Sequence, residues 1–174
     1  MECPNWSGVL TRVNTIRSEK RETDNSRRCA TWGCVMYTML VALDGSEHSL
    51  RAARYAARRA QSTPCRIHLL HVEKPAMAWE VGPVSSIEAV SAARGAESAD
   101  ALDVGARQFG PATGVEKHAV TGEPAAAIIE QAARLAADEI VIGSRGLRPL
   151  DAALLGSVAY KVLHDARIPV VVVH

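Results

Sequence analysis

Five short apolar runs alternate with segments of helical periodicity along most of this chain. Alternation of this kind predicts parallel strands joined by helices that cover both faces of one sheet. We therefore expect an α/β fold with a Rossmann-like, open, five-stranded parallel sheet. The predicted strands are residues 37–43, 67–72, 115–120, 139–142 and 168–173, and the predicted helices are residues 47–62, 85–109, 124–136 and 152–165.

The third and fifth predicted strands have sequence features that bear on their positions in the sheet. Strands buried on both faces read as unbroken apolar runs, but the third strand carries Glu116, Lys117 and His118. Charges suit an edge strand, because they discourage pairing with another chain. The fifth strand ends in four consecutive valines. We expect it to lie inside the sheet or to meet a partner subunit.

The residues before Met36 show no sustained apolar periodicity, and residues 17–28 are almost wholly polar or charged. We expect a domain over residues 36–174. Residues 1–35 are interpreted as a disordered extension or a mis-assigned start.

Composition argues against two classes of partner. The 20 Lys and Arg residues nearly balance the 19 Asp and Glu residues, and aromatic residues make up only 4% of the chain. Neither a polyanion-binding surface nor stacking platforms for nucleic acid are expected. The apolar runs fall short of the roughly 18 residues that cross a bilayer, so no membrane partner is expected. Four cysteines without a C-x-x-C pair favour a reducing, cytoplasmic setting.

Candidate binding residues follow the strands at their carboxyl ends, where open parallel sheets bind ligands. Asp44 follows the first strand, Val72 closes the second and Gly143 follows the fourth. Gly143 and Gly146 let a backbone approach a ligand without a Cβ in the way. Gly156 and Ser157 open the last helix, although its apolar pattern begins earlier, and free amides at a helix start favour an anion. The residues predict a phosphate site.

Other nucleotide-binding and catalytic patterns are absent from the sequence. There is no Gly-Lys-Ser/Thr motif and no Gly-x-Gly-x-x-Gly after the first strand, which excludes a Walker loop and a dinucleotide fingerprint. His68, His71 and His118 have no Ser or Cys nucleophile at a suggestive spacing, and we interpret them as core or edge histidines in different environments. We predict no catalytic residue.

Five segments resemble the universal stress protein domain, and the resemblance covers residues 37–174. They are residues 39–46 (MLVALDGS), 67–72 (IHLLHV), 140–146 (IVIGSRG), 156–158 (GSV) and 168–173 (IPVVVV). In that family the pattern Gly-x2-Gly-x9-Gly-Ser/Thr distinguishes ATP-binding members, and this chain satisfies each position of it. The strand order expected for such a fold is 3-2-1-4-5.

The resemblance also implies roles for individual residues. Asp44 would face the ribose or adenine, the Val72 backbone would face adenine, and the glycines would border the ribose and phosphates. A divalent ion, Mg²⁺ or Mn²⁺, would be carried by the phosphates of ATP. The implied nucleotide-binding set is Ala42, Leu43, Asp44, Val72, Gly143, Arg145, Gly146, Gly156, Ser157 and Val158. The spacer departs from the expected pattern at Asp151, which Arg145 or Arg148 could offset.

These features lead to a hypothesis of a nucleotide-responsive regulator in the stress response. ATP would order residues 147–155, and an unidentified regulatory protein would recognise the ordered state. The resemblance further implies a homodimer through the last strand. Two alternatives stay open: a nucleotide-independent dimeric scaffold, and a slow ATPase or adenylating enzyme of related fold.

Overall fold

A computed structural model of the protein describes residues 36–75, 86–110, 113–146 and 155–174. The predictions for residues 1–35 lie outside these ranges. The strands are β1 (Tyr37–Leu43), β2 (Cys65–Glu73), β3 (Val115–Thr121), β4 (Glu139–Gly143) and β5 (Val170–Val173). The helices are α1 (Glu47–Ser62), α2 (Ile87–Ala106), α3 (Pro124–Arg134) and α4 (Ser157–Asp165).

All adjacent strand pairs are parallel, and the sheet order is β3-β2-β1-β4-β5. The predicted fold class and strand order are therefore confirmed. Within the described ranges, no helix combines the length and the apolar character needed to cross a membrane.

Two apolar clusters hold helices against the two faces of the sheet. Val41 belongs to the cluster that includes the α1 alanines, whereas Leu40 belongs to the cluster that includes Ile128 of α3. Successive side chains of a strand point to opposite faces, so both β1 residues are buried. Removing a side chain of this size from water stabilises the fold by about 1.5–3 kcal/mol.

The predictions for the positions of the third and fifth strands have different outcomes. β3 lies at one edge of the sheet, as its charged residues predicted. β5 lies at the other edge of the sheet formed by the described strands, so it is not an interior strand. Its valines are partly exposed. Of the two expectations for β5, only the contact with a partner subunit stays open.

Several element boundaries differ from those predicted. The last helix was expected over residues 152–165, but α4 begins at Ser157 because Gly156 is extended, with φ −68° and ψ 153°. Residues 152–154 lie outside the described ranges. α2 ends at Ala106 instead of Phe109, and β5 begins at Val170 instead of Ile168.

Arg59 of α1 forms an ion pair with Glu139 of β4. Its Nη1 donates to both carboxylate oxygens of Glu139, at 3.0 and 2.9 Å. The hydroxyl of Tyr37 also donates to Glu139, at 3.0 Å. Glu139 is 4% exposed, and a buried carboxylate requires such partners to offset its desolvation. This cluster holds α1 against the amino end of the sheet.

Gly143 tests the packing of α1 against β4. A Cβ at this position would lie 2.6 Å from the backbone carbon of His48, so Gly143→Ala should lower the free energy of unfolding by about 1–3 kcal/mol. Gly95→Ala is the matched control, because its Cβ would meet no atom within 4 Å. In the exposed face of α2 it should stabilise the protein by up to about 1 kcal/mol. Urea unfolding of both variants measures the difference, and equal effects would contradict this account.

Candidate functional site

A cavity of 830 Å³ opens where the carboxyl ends of β1, β2 and β4 meet. This volume falls within the range of about 300–1,000 Å³ that is usual for small-molecule sites. All ten residues that the sequence interpretation assigned to nucleotide binding line this cavity. They are Ala42, Leu43, Asp44, Val72, Gly143, Arg145, Gly146, Gly156, Ser157 and Val158.

The turn between β1 and α1 holds Asp44 at the centre of this rim. Its Oδ1 accepts a hydrogen bond from the Ser46 amide at 3.0 Å, and Ser46 Oγ in turn caps α1 by accepting from the Ser49 amide at 3.2 Å. Gly45 between them has φ +80°, a conformation that favours glycine. The carboxylate of Asp44 is thus oriented by the local backbone.

Gly146 lies directly against Asp44. A Cβ at Gly146 would be 2.6 Å from Asp44 Oδ2. Gly143 has a different neighbour, since its missing side chain makes room for the backbone of His48 and Ser49. The sequence interpretation assigned both glycines to ligand approach. In the structure, the backbone of α1 already requires a small residue at Gly143, whereas Gly146 faces only the carboxylate end of Asp44.

The start of α4 forms one wall of the cavity. Gly156 is its N-cap residue and supplies no side-chain hydrogen bond, whereas α1, α2 and α3 are capped by Ser46, Ser86 and Glu123. The first amides of a helix have no partner within the helix, and its amino end carries a partial positive charge. Ser157 and Val158 place these amides at the cavity. An anionic group fits this wall.

A hydrogen bond joins the two glycine segments. The Gly156 amide donates to the carbonyl oxygen of Ser144 at 2.7 Å. The turn after β4 and the start of α4 are therefore in direct contact, although residues 147–154 between them lie outside the described ranges. The predictions for Arg148, Asp151 and the ordering of this segment also lie there.

β2 extends beyond β1 at the same rim. The pairing of β1 with β2 ends at Leu43 and His71, whereas β2 continues to Glu73. Beyond His71, no residue of β1 is therefore in register with β2. A planar ligand edge next to Val72 would meet the backbone at this end of the strand.

α2 supplies a wall that the sequence interpretation missed. Arg94, Glu97, Ala101 and Val104 line the cavity, and their spacing of three and four residues places them on one helical face. That periodicity is visible in the sequence, but nothing in the sequence shows that this face meets the carboxyl ends of the strands. Arg94 Nη1 donates to the Lys74 carbonyl oxygen at 2.7 Å, which ties α2 to the end of β2.

Charge is unevenly distributed around the cavity. Three carboxylates come from the end of β2 and from α2, namely Glu73, Glu97 and Asp100. The opposite wall has Arg145 and the amino end of α4. Ser98 Oγ donates to Glu73 Oε1 at 2.6 Å, which fixes that carboxylate. The end of β2 and α2 also carry Lys74 and Arg94, so this side of the cavity has charges of both signs, with carboxylates that can accept from hydroxyl donors. Arg145 and the start of α4 suit an anion.

His71 contributes a buried polar atom to the same site. Its Nδ1 is buried and has no hydrogen-bond partner among the described residues, and the residue lines the cavity. Unpaired buried nitrogens are uncommon because desolvation without a hydrogen bond is unfavourable. The interpretation of His71 as a core or edge histidine did not include this unpaired atom.

Comparisons with known proteins agree on one family. The family model of the universal stress protein family matches residues 36–174. A universal stress protein of Thermus aquaticus, encoded in the QAH/OAS sulfhydrylase 3′ region, is 35% identical over 139 residues, which are 78% of this chain and 97% of the relative.

Two similar solved structures contain nucleotides. A universal stress protein in complex with cAMP is 29% identical with a TM-score of 0.59, and covers 80% of this chain and 97% of its own. The universal stress protein of Archaeoglobus fulgidus in complex with dAMP is 25% identical, with a TM-score of 0.54. The match covers 80% of this chain and 98% of that structure's chain.

The contact between Asp44 and Gly146 can be tested without a ligand. Gly146→Ala should destabilise the protein by about 1–2 kcal/mol, because the new Cβ meets the carboxylate. In an Asp44→Ala background the same substitution should cost much less, since the obstructing oxygen is gone. Urea unfolding of the four proteins in this double-mutant cycle measures the coupling. Additive effects would show that the two residues do not meet.

Proposed function

The chain belongs to the universal stress protein family. From that premise we propose that it binds ATP in the cavity at the carboxyl ends of the strands. We propose further that it acts as a nucleotide-responsive regulator in the stress response. The observation that carries the proposal is the polarity of this cavity. It combines an uncapped helix start with an opposite wall of carboxylates.

The nucleoside fits the wall that carries the carboxylates. Carboxylates accept hydrogen bonds from ribose hydroxyls, and Asp44 and Glu73 are both held in place by hydrogen bonds to the chain. The backbone of β2 at Val72, which lies beyond the last register pair with β1, can hydrogen-bond with the edge of adenine.

The phosphates fit the opposite wall. Amides at the start of α4 and the hydroxyl of Ser157 donate to anionic oxygens, and the helix dipole adds a favourable field. Arg145 adds a positive charge. A divalent cation, Mg²⁺ or Mn²⁺, would be held chiefly by phosphate oxygens, which suit hard cations. The nucleotides bound by the two similar structures support an adenine nucleotide as ligand.

Regulation would follow from the position of the phosphates. They would lie between Gly146 and Gly156, which flank the segment of residues 147–155. ATP would order that segment, and a protein partner would recognise the result. We assign no catalytic residue, because binding by amides, a hydroxyl and a dipole supplies no general base.

A nucleotide-independent dimeric scaffold is the second candidate, and one observation favours it. Gly143 is required by packing against the backbone of His48, so this glycine would persist in a chain that binds nothing. Under this alternative the melting temperature would not respond to ATP with magnesium.

Both candidate functions include a dimer formed through β5. Pro169 and Val173 direct their carbonyl oxygens to β4, so the alternate residues Val170 and Val172 direct their backbone groups to the outer edge. An unpaired edge of this kind is a template for another strand. A second copy of the chain would continue the sheet there.

ATP binding is tested with a charge placed at the start of α4. Ser157→Asp should weaken ATP·Mg²⁺ binding by more than about tenfold in calorimetry, because a carboxylate repels phosphate where a hydroxyl would have donated. The helix itself should tolerate the change, since an acidic residue at its amino end is favourable.

Ser86→Asp is the matched control for this experiment. It makes the same substitution at the start of α2, in an N-cap residue that does not line the cavity. ATP affinity should be unchanged in this variant. Unaltered binding in Ser157→Asp would overturn the phosphate assignment, and an absence of ATP binding by the unsubstituted protein would favour the scaffold.

The dimer is tested by Val172→Pro, which removes an outward-facing amide while leaving the amides that face β4. Sedimentation at micromolar concentration should show a dimer for the unsubstituted chain and a monomer for the variant. Circular dichroism checks that the variant stays folded. A folded variant that is still dimeric would contradict dimerisation through β5.

A further inference from the structure

Three potential metal ligands lie on one face of the sheet where β2 meets β3. His68 pairs in register with Glu116, and His118 lies two residues further along β3. Residues two apart on a strand share a face, so all three side chains lie on the same side of the sheet. The sequence interpretation placed these histidines in different environments. That is wrong for His68 and His118, whose side chains are in contact.

The side chains are close enough to share one ligand. His68 Nδ1 is 2.9 Å from His118 Nε2 and 3.4 Å from Glu116 Oε2. One ligand atom from each residue lies within 4.8 Å of the others. His68 is buried, whereas Glu116 is exposed and His118 is partly buried. The cluster is anchored in the core and open to solvent on one side.

Without a cation this arrangement depends on one shared proton. Two neutral imidazole nitrogens form a hydrogen bond only if one of them carries a hydrogen, and the carboxylate oxygen lies next to the same nitrogen. A divalent cation can replace that proton and bind both nitrogens and the oxygen together. Metal ligands of these types must be neutral imidazole and ionised carboxylate.

Charged groups of both signs lie near His68. Arg66 repels a cation, but Glu116 contributes the compensating negative charge.

We propose that His68, Glu116 and His118 bind a divalent transition metal, with zinc as the first candidate and a fourth position open to water. Zinc bonds of about 2.0–2.1 Å in a tetrahedral site place the ligand atoms about 3.3 Å apart. The nitrogen–oxygen distance of 3.4 Å fits this separation. The two nitrogens, now 2.9 Å apart, need to separate by only a few tenths of an ångström.

This metal site is distinct from the cation that would accompany nucleotide phosphates. His68 precedes Val72 by four residues on β2, which corresponds to roughly 13 Å along the strand. The donors also differ in kind, because imidazole suits zinc and related metals whereas phosphate oxygens suit Mg²⁺. Zinc here would join the edge strand β3 to β2.

The test is a titration of zinc chloride into the full chain without nucleotide, followed by calorimetry. All four cysteines, Cys3, Cys29, Cys34 and Cys65, are first replaced by serine, because thiolates also bind zinc. One zinc ion per chain is expected. His118→Ala and Glu116→Gln should each weaken binding by more than about tenfold, since even the loss of an outer-shell partner has an effect of that order.

His164→Ala is the matched control, because His164 is an exposed histidine outside the cluster, with its Nδ1 2.7 Å from the Asp165 carboxylate and its ring stacked on Tyr160. Its zinc affinity should equal that of the parent. Cobalt chloride gives an independent readout through the visible absorption of a tetrahedral site. Failure of the parent to bind zinc, or equal affinity in His118→Ala or Glu116→Gln, would overturn the proposal while leaving ATP binding untouched.

Discussion

The pairing of β1 with two parallel neighbours is the constraint on which the rest of this structure depends. β1 lies between β2 and β4, so its residues are buried from both faces and on both edges. Parallel strands bring their carboxyl ends to one rim, and Asp44, Val72 and Gly143 therefore converge although they are distant in sequence. The site exists because the sheet is parallel, and the sheet is stable because helices cover both its faces.

Much of this arrangement could be predicted from the sequence. The unbroken apolar run of β1 and the charges of β3 predict an interior strand and an edge strand, because burial and polarity act locally. The site residues at the strand ends follow from topology. The α2 wall could not be predicted, since Arg94 and Glu97 read as ordinary solvated residues until their helix is placed. The same holds for Arg59, whose partner Glu139 is distant in the chain.

The glycines show why a sequence pattern has more than one physical explanation. Gly143 is small because α1 passes close by, whereas Gly146 faces only the carboxylate end of Asp44. A nucleotide would make use of the space next to them, but at Gly143 it need not be the reason for the residue type. Ser157 and the uncapped start of α4 are more specific evidence, because packing does not require a free helix end.

The hydrogen bond between Gly156 and Ser144 has a consequence for how this protein can diverge or be engineered. It fixes the two ends of the intervening segment relative to each other, whatever the length of chain between them. For a flexible loop, doubling the length costs only about 0.6 kcal/mol of closure entropy. The segment is therefore a natural point for grafting a longer recognition sequence, with the sheet and both flanking glycines left in place.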